Sequence, residues 1–480
     1  MSTIAKIRNF FGVQDMTVGK PITGLLKFSI PLLIGNLAQQ LYNTVDSIVV
    51  GRYIGDTALA AVGTAGPILN LLLVLFMGVA TGASILSAQF FGAKDRPTLN
   101  KVVGCSIVLT FASGFLMMVL GYFVSPALIG MVHPPENVAQ GAIIYLQIIF
   151  IGILGGAMYN ILSGVLRGLG DSVFPLFFLI LSSLLNIILD ILFVSQFSMG
   201  IAGVAWATII AQGVSGVLCL IRLCRMRDVC DVNWKTLHPD KRLTIQLCRL
   251  GFPAGVTQAI FSMSAIVVQG LTNSMGEAMI AANTAIMRVD GFAMMPNFTF
   301  GTAATTYVGQ NIGAKHADRI RQGTKSLLLL ALSCSTVLVT CILLFGHQLM
   351  GMFTSTPETL AIGTTGLRWL ALGYICFSVS QVLQGNMRGV GETAIPMWIS
   401  IFTTIVLRMP LAYLIAYLTR SELYPNGAPI AIFSSLLISW VFGTLLSVII
   451  YRMGLWRRRL PEDMREALAS TAKAQRRKSL

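Results

Sequence analysis

Arg167-Gly-Leu-Gly-Asp-Ser-Val-Phe-Pro175 returns as Arg388-Gly-Val-Gly-Glu-Thr-Ala-Ile-Pro396, each residue of the second copy lying 221 positions after its counterpart. The spacing is not confined to one motif. Gln89-Phe-Phe-Gly-Ala-Lys94 and Gln310-Asn-Ile-Gly-Ala-Lys315 keep it, as do Leu128-Ile-Gly-Met131 and Leu349-Met-Gly-Met352. Three motifs at one offset mark an internal duplication, and the fold must therefore be read as two copies of one unit. In the Arg-Gly-x-Gly-acid motif, the glycines permit a tight turn with positive φ. The acid is placed to cap the following helix. No Gly-x-x-x-x-Gly-Lys-Ser/Thr run accompanies it, so the motif reads as architecture rather than as a nucleotide loop.

What surrounds the motifs is apolar. Of 480 residues, 55% are hydrophobic and 11% charged, against about 25% charged in soluble proteins; the mean hydropathy is +0.76. This excludes an ordinary soluble enzyme and a disordered chain. A helix needs about 20 apolar residues to cross the hydrocarbon core. Twelve stretches qualify: 28–50, 60–89, 102–124, 140–164, 174–194, 200–222, 250–273, 279–308, 324–346, 361–386, 396–417 and 430–452. Such lengths favour helices over the short alternating strands of a barrel. Pro67 and Pro296 predict tilt or a kink in the second and eighth. The expected fold is an all-α integral membrane protein of twelve transmembrane helices in two pseudo-symmetric six-helix bundles. An even number of spans per copy makes the repeat parallel, about an axis along the membrane normal. The parts are an N-terminal segment (1–27), a first lobe (28–222), a linker (223–249), a second lobe (250–452) and a basic tail (453–480).

The chain carries 34 Lys and Arg against 19 Asp and Glu, a net charge of +15. If the N-terminus, the even-to-odd loops and the C-terminus share one side, that side holds 29 of the basic residues, and the opposite loops hold only Arg52 and Arg420. By the positive-inside rule both termini are cytoplasmic, in the cytoplasmic (inner) membrane of a cell. The basic excess thus marks topology and argues against a nucleic-acid partner. The linker reads as a charged connector or a flat, water-facing helix. The tail, with Arg457-Arg-Arg459 and Arg476-Arg-Lys478, reads as a topology anchor or as a contact to anionic membrane lipids. The eight cysteines avoid the outside loops, which argues against a disulfide framework. No cofactor motif and no catalytic constellation appear.

Ionisable groups inside a span are expensive and are functional candidates by default. Asp46, Asp190 and Asp290 are the acids well inside spans; Arg288 and Arg408 are the bases. Asp46 and Asp190 lie about 6 Å below the outer ends of their spans and Thr208 about 12 Å below its own. Asn186 precedes Asp190 by four residues and shares its face. Two carboxylates, an amide and a hydroxyl at comparable depth make an oxygen-rich site for H⁺ or Na⁺. Asp290 and Arg408, each about 18 Å along its span, read as a mutually neutralising pair or as part of a substrate path, with Arg288 on another face of its helix. Gln39, Tyr42, Asn43 and Asn160 are polar groups in apolar spans, and Met294 and Met295 offer adaptable surface. These six are the candidate lining of a substrate path.

The paired Gln-x-x-Gly-Ala-Lys and Arg-Gly-x-Gly-acid motifs, together with Val45-Asp46 and Val50-Gly51-Arg52, resemble the multidrug and toxic compound extrusion (MATE) family from about Pro31 to Arg452. The resemblance implies two six-helix bundles forming a V around a central cavity. It also implies alternating access, and export of organic cations or other amphipathic small molecules, by a chain acting as a monomer, in exchange for H⁺ or Na⁺. Its DinF-like group has a pattern matching Asp46, Asn186, Asp190 and Thr208. Its NorM-like group uses acids in the seventh and tenth helices, and none occurs here between Leu250 and Asn273 or between Ala361 and Met387. The alternative function is a flippase for a lipid-linked saccharide or another amphipathic lipid, which calls for a strongly cationic cavity.

Overall fold

The computed structural model describes residues 12–53, 56–132, 135–233, 236–460 and 462–466. A backbone in hydrocarbon must satisfy its own hydrogen bonds, and the apolar stretches accordingly form helices. In the first copy these are α1 (Pro21–Tyr53), α2 (Asp56–Gly92), α3 (Arg96–Val132), α4 (Glu136–Ile151, then Ile153–Gly168), α5 (Val173–Ile191, ending in the π-helical Leu192–Gln196) and α6 (Gly200–Arg225). In the second they are α7 (Lys241–Ser274), α8 (Glu277–Gly313), α9 (Ala317–Gly351), α10 (Pro357–Val390), α11 (Ala394–Ser400, the π-helical Ile401–Arg408 and Met409–Leu418) and α12 (Ile430–Met453). Among the described residues, nine helices are long and apolar enough to cross a membrane singly, or ten if the bent α4 counts as one. α8 falls short because Asn283, Arg288, Asp290 and Asn297 interrupt its apolar residues. These polar residues are carried on a helix whose second half is buried almost throughout.

The helices that carry Pro67 and Pro296 are continuous: α8 runs through Pro296 as one helix, and α2 is likewise unbroken. The sharp break is in α4, where the two segments meet at 53°. Gly152 stands at the break, and a Cβ built there would lie 2.2 Å from the Ile209 side chain on α6. The bend thus goes with close approach of two helices rather than with a missing N–H.

The chain divides into two compact units, 1–16 with 26–255 and 17–25 with 256–480. In the first, α2 packs on α3 and α4, α4 on α6, and α5 on α6. In the second, α8 packs on α9 and α10, α10 on α12, and α11 on α12. The packing order is the same in both copies. The duplication extends to single atoms. A Cβ built on Gly164 or Gly168 of α4 would stand 2.5 and 2.4 Å from the carbonyl oxygens of Ala80 and Ser84 on α2. On Gly385 or Gly389 of α10 it would stand 2.3 and 2.7 Å from those of Gly301 and Thr305 on α8. Both crossings are therefore backbone on backbone. This is how helices gain packing in a solvent as apolar as leucine.

The repeated loops also match. Lys94 and Lys315 take φ of 55° and 59°, and Gly170 and Gly391 take 87° and 92°. Asp171 accepts a hydrogen bond from the Phe174 N–H at 3.1 Å, and Glu392 accepts one from the Ile395 N–H at 3.3 Å. Each acid also holds an arginine: Asp171 pairs with Arg222, in the last turn of α6, at 3.0 Å, and Glu392 with Arg459, just beyond α12, at 3.1 Å. The linker, of which Trp234 lies outside the described residues, is a connector laid along α3. Among its described residues there is no helix between Arg225 and Lys241, and Asp231 N–H donates to Asn100 at 2.8 Å. The basic run Arg476-Arg-Lys478 also lies outside the described residues.

Candidate functional site

α5 has a buried stripe at four-residue spacing. Its buried residues are Pro175, Phe178, Ser182, Asn186 and Asp190, while Leu184 and Ile188 between them are 55% and 62% exposed. A helix in water turns its polar side outward; here the apolar side faces out and the polar residues lie on the buried face. Asn186 and Asp190 are 1% and 0% exposed. Directly after Asp190 the helix passes through Ile191 into the π-helical turn Leu192–Gln196, a device found mostly at functional sites. Thr208, half-buried on α6, donates its hydroxyl to the Val204 carbonyl at 2.9 Å, which leaves its oxygen lone pairs as acceptors. The packing of α5 on α6 therefore sets Thr208 on the neighbouring helix. Carboxylate, amide and hydroxyl oxygens are the donors that hard cations take, and a buried carboxylate is equally a place for a proton. The side chains of Asp46, Tyr42 and Asn43 lie outside the described residues.

The remaining residues of the expected substrate lining belong to both units. Asn160 donates to its own helix at the Gly156 carbonyl, 2.8 Å away, and Gln39 is half-buried on α1. Met294 and Met295 separate: Met294 lines a cavity inside the second unit, and Met295 is not among its lining residues.

That cavity measures about 280 Å³ and is walled by residues of α7, α8, α10, α11 and α12. It contains both Asp290 and Arg408. Their groups are turned to other partners. The Tyr374 hydroxyl donates to Asp290 Oδ1, and Arg408 Nη1 donates to Ser264 Oγ at 3.3 Å. Asp290 and Arg408 are not among the ion pairs within 4.0 Å of the described residues. Two opposite charges share one cavity without closing on each other. Arg288 is exposed, on a face of α8 away from Asp290. Tyr374 escaped the sequence reading because its hydroxyl is hidden in an apolar run of α10, and nothing in its spacing marks the carboxylate it holds.

With this geometry in view, comparisons with known proteins agree on the family. The MatE family model matches the chain twice, over residues 31–192 and 253–414, one match for each copy. The probable multidrug resistance protein YoeA of Bacillus subtilis is 32% identical over 86% of this chain and 91% of its own length. YpnP of the same organism, also named a probable multidrug resistance protein, is 30% identical over 92% and 97%. Among solved structures, a MOP superfamily transporter from Pyrococcus furiosus superposes with a TM-score of 0.85 at 24% identity, covering 93% of this chain and 98% of that one. Twelve helices in two like-ordered copies, the duplicated loops and the double family match together place this chain in the MatE family, whose members are multidrug and toxic compound extrusion transporters and not enzymes.

Proposed function

We propose that the protein exports small organic cations from the cytoplasm by alternating access, in exchange for H⁺ or Na⁺ taken up at Asp46, Asn186, Asp190 and Thr208. The observation that carries this reading is the buried stripe of α5, which holds Asn186 and Asp190 on the buried face of an otherwise lipid-suited helix. Placing a carboxylate inside a span is expensive, about 2.5–3.5 kcal/mol at a helix centre on translocon scales, and uptake of a cation or a proton offsets that cost. Binding neutralises the carboxylate and lowers the cost of the state in which the site is closed. Coupling then requires only that ion and substrate favour different conformers. The names of YoeA and YpnP support drugs or toxic metabolites as cargo. The charge asymmetry of the loops supports a place in the cytoplasmic membrane with both termini inside.

The test is efflux of a fluorescent organic cation in everted membrane vesicles, with a pH gradient and a Na⁺ gradient imposed separately. Gradient-driven transport by wild type, lost in Asp190→Asn, is the expected result, and the effective gradient names the ion. Transport retained in Asp190→Asn overturns the site. The flippase reading has less support, since the cavity of the second unit offers one arginine and one aspartate rather than a cationic surface.

A further inference from the structure

We propose that the cavity inside the second unit is a binding site for a small aromatic zwitterion, its carboxylate held by Arg408 and its ammonium group by Asp290. This goes beyond the export of organic cations and does not depend on ion coupling in the first unit. Three features of the cavity carry it.

The first is a guanidinium with hydrogen bonds left unmade. Arg408 has five N–H donors, and one hydrogen bond, to Ser264, is made. Its Nε is buried and has no hydrogen-bond partner. A buried donor left unmade is costly, and the fork of a guanidinium lining the cavity matches the two oxygens of a carboxylate. The one acid on the same wall, Asp290, is not within ion-pair distance. The second feature is the orientation of that acid. Tyr374 is 1% exposed and its hydroxyl fixes Asp290 Oδ1, so the carboxylate is positioned from behind by a buried residue. The third is the wall. Phe298 meets Phe377 edge-on at 5.7 Å, and Phe377 meets Trp440 at 5.5 Å. All three line the cavity and present a continuous aromatic face suited to a flat ring.

Charge selects the class of ligand. A simple cation would satisfy Asp290 but face the charge of Arg408, and a simple anion would meet the reverse problem. A zwitterion answers both and adds no net charge to a low-dielectric site. The volume of about 280 Å³ lies at the lower edge of ligand pockets, which run from about 300 Å³ upward, and fits a single ring with two substituents.

The experiment is calorimetric titration of the purified full-length protein in lipid nanodiscs, with no gradient present, so that failure of the antiport reading leaves it unaffected. The probes are 4-(aminomethyl)benzoic acid, its methyl ester as the matched cation, and 4-methylbenzoic acid as the matched anion. The zwitterion is expected to bind most tightly. Arg408→Gln should weaken it by about tenfold or more and leave the ester unchanged or improved, the size expected for losing hydrogen bonds to a charged group. Asp290→Asn should weaken the zwitterion and the ester and spare the anion. If Arg408→Gln does not fold, Arg408→Lys keeps the charge, removes the fork and should still weaken the zwitterion. The proposal is overturned if wild type binds none of the probes, if the ester binds as well as the zwitterion, or if a folded Arg408 variant binds the zwitterion undiminished.

Discussion

Gly385→Ala adds one methyl group at the crossing of α8 and α10, the two helices that carry Asp290 and Tyr374. The new Cβ would stand 2.3 Å from the Gly301 carbonyl oxygen and 2.8 Å from the Ala304 Cβ, where ordinary contact begins at 3.4 Å. The helices must part by about 1 Å, because the obstacle is backbone and no rotamer change relieves it. Overpacking of this kind costs about 1–3 kcal/mol. Replacing a helical glycine by alanine returns about 0.5–1 kcal/mol, so the net expectation is a loss of about 1–2 kcal/mol. Gly346→Ala in α9 is the control, since a Cβ there meets nothing within 4 Å and only the gain remains. Thermal unfolding of the two variants in the same detergent should show Gly385→Ala melting several degrees below wild type and Gly346→Ala at or slightly above it. Gly164→Ala, the counterpart in the first unit, should follow Gly385→Ala. If Gly385→Ala melts with or above Gly346→Ala, the backbone crossing is not what holds these helices together.

The two loop acids should differ in a similar assay. Asp171→Asn keeps the capping oxygen but leaves Arg222, whose side chain is 23% exposed, without its charge partner, and should cost about 1–3 kcal/mol. Glu392→Gln should cost less than about 1 kcal/mol, because Arg459 is 47% exposed and water replaces the partner. The hydrogen bond from Lys315 holds Asp463 below the ordinary carboxylate range, so whatever the pair contributes is present above pH about 4 and is lost as pH falls through the lowered folded value. With the Lys and Asp side chains 67% and 54% exposed, Lys315→Met should melt with wild type across this whole range; a clear difference at neutral pH would show the pair to be structural.

Helix number, order and duplication were legible because each rests on long, redundant signals. Twenty apolar residues are hard to read otherwise, and three motifs at one spacing fix the register of the copies. Asn186 and Asp190 were legible as one face because four residues make about one turn. The bend of α4 was not, because Gly152 becomes a break only where Ile209 crowds it, and that contact joins positions 57 residues apart. The relation of Asp290 to Arg408 was not legible for a related reason. Residue count fixes depth along a helix but not the direction of a long side chain, and the choice of Ser264 and Tyr374 as partners is made by α7 and α10. Pro296 lies inside one continuous helix, so it does not end α8.

The duplication sharpens the meaning of the charges. At the 221-residue spacing, Asn186 and Asp190 correspond to Leu407 and Leu411, while Asp290 and Arg408 correspond to Leu69 and Ile187. Ser182, at the start of the α5 stripe, corresponds to Thr403, which is buried and lines the cavity of the second unit. The scaffold residues (the crossing glycines, the capping acids, the left-handed turns) are kept in both copies. So are the helix-end arginines Arg167 and Arg388, but Asp190, Asp290 and Arg408 are not. If these charges served the helix packing that both copies share, they would be expected in both, since the same crossings recur with the same backbone contacts. Their restriction to one copy each separates them from the architecture and assigns them to what distinguishes the units. The first unit carries Asp190 with Asn186 on the buried face of α5, as suits a proton or a metal cation. The second carries one charge of each sign around a cavity, as suits a ligand that is itself dipolar.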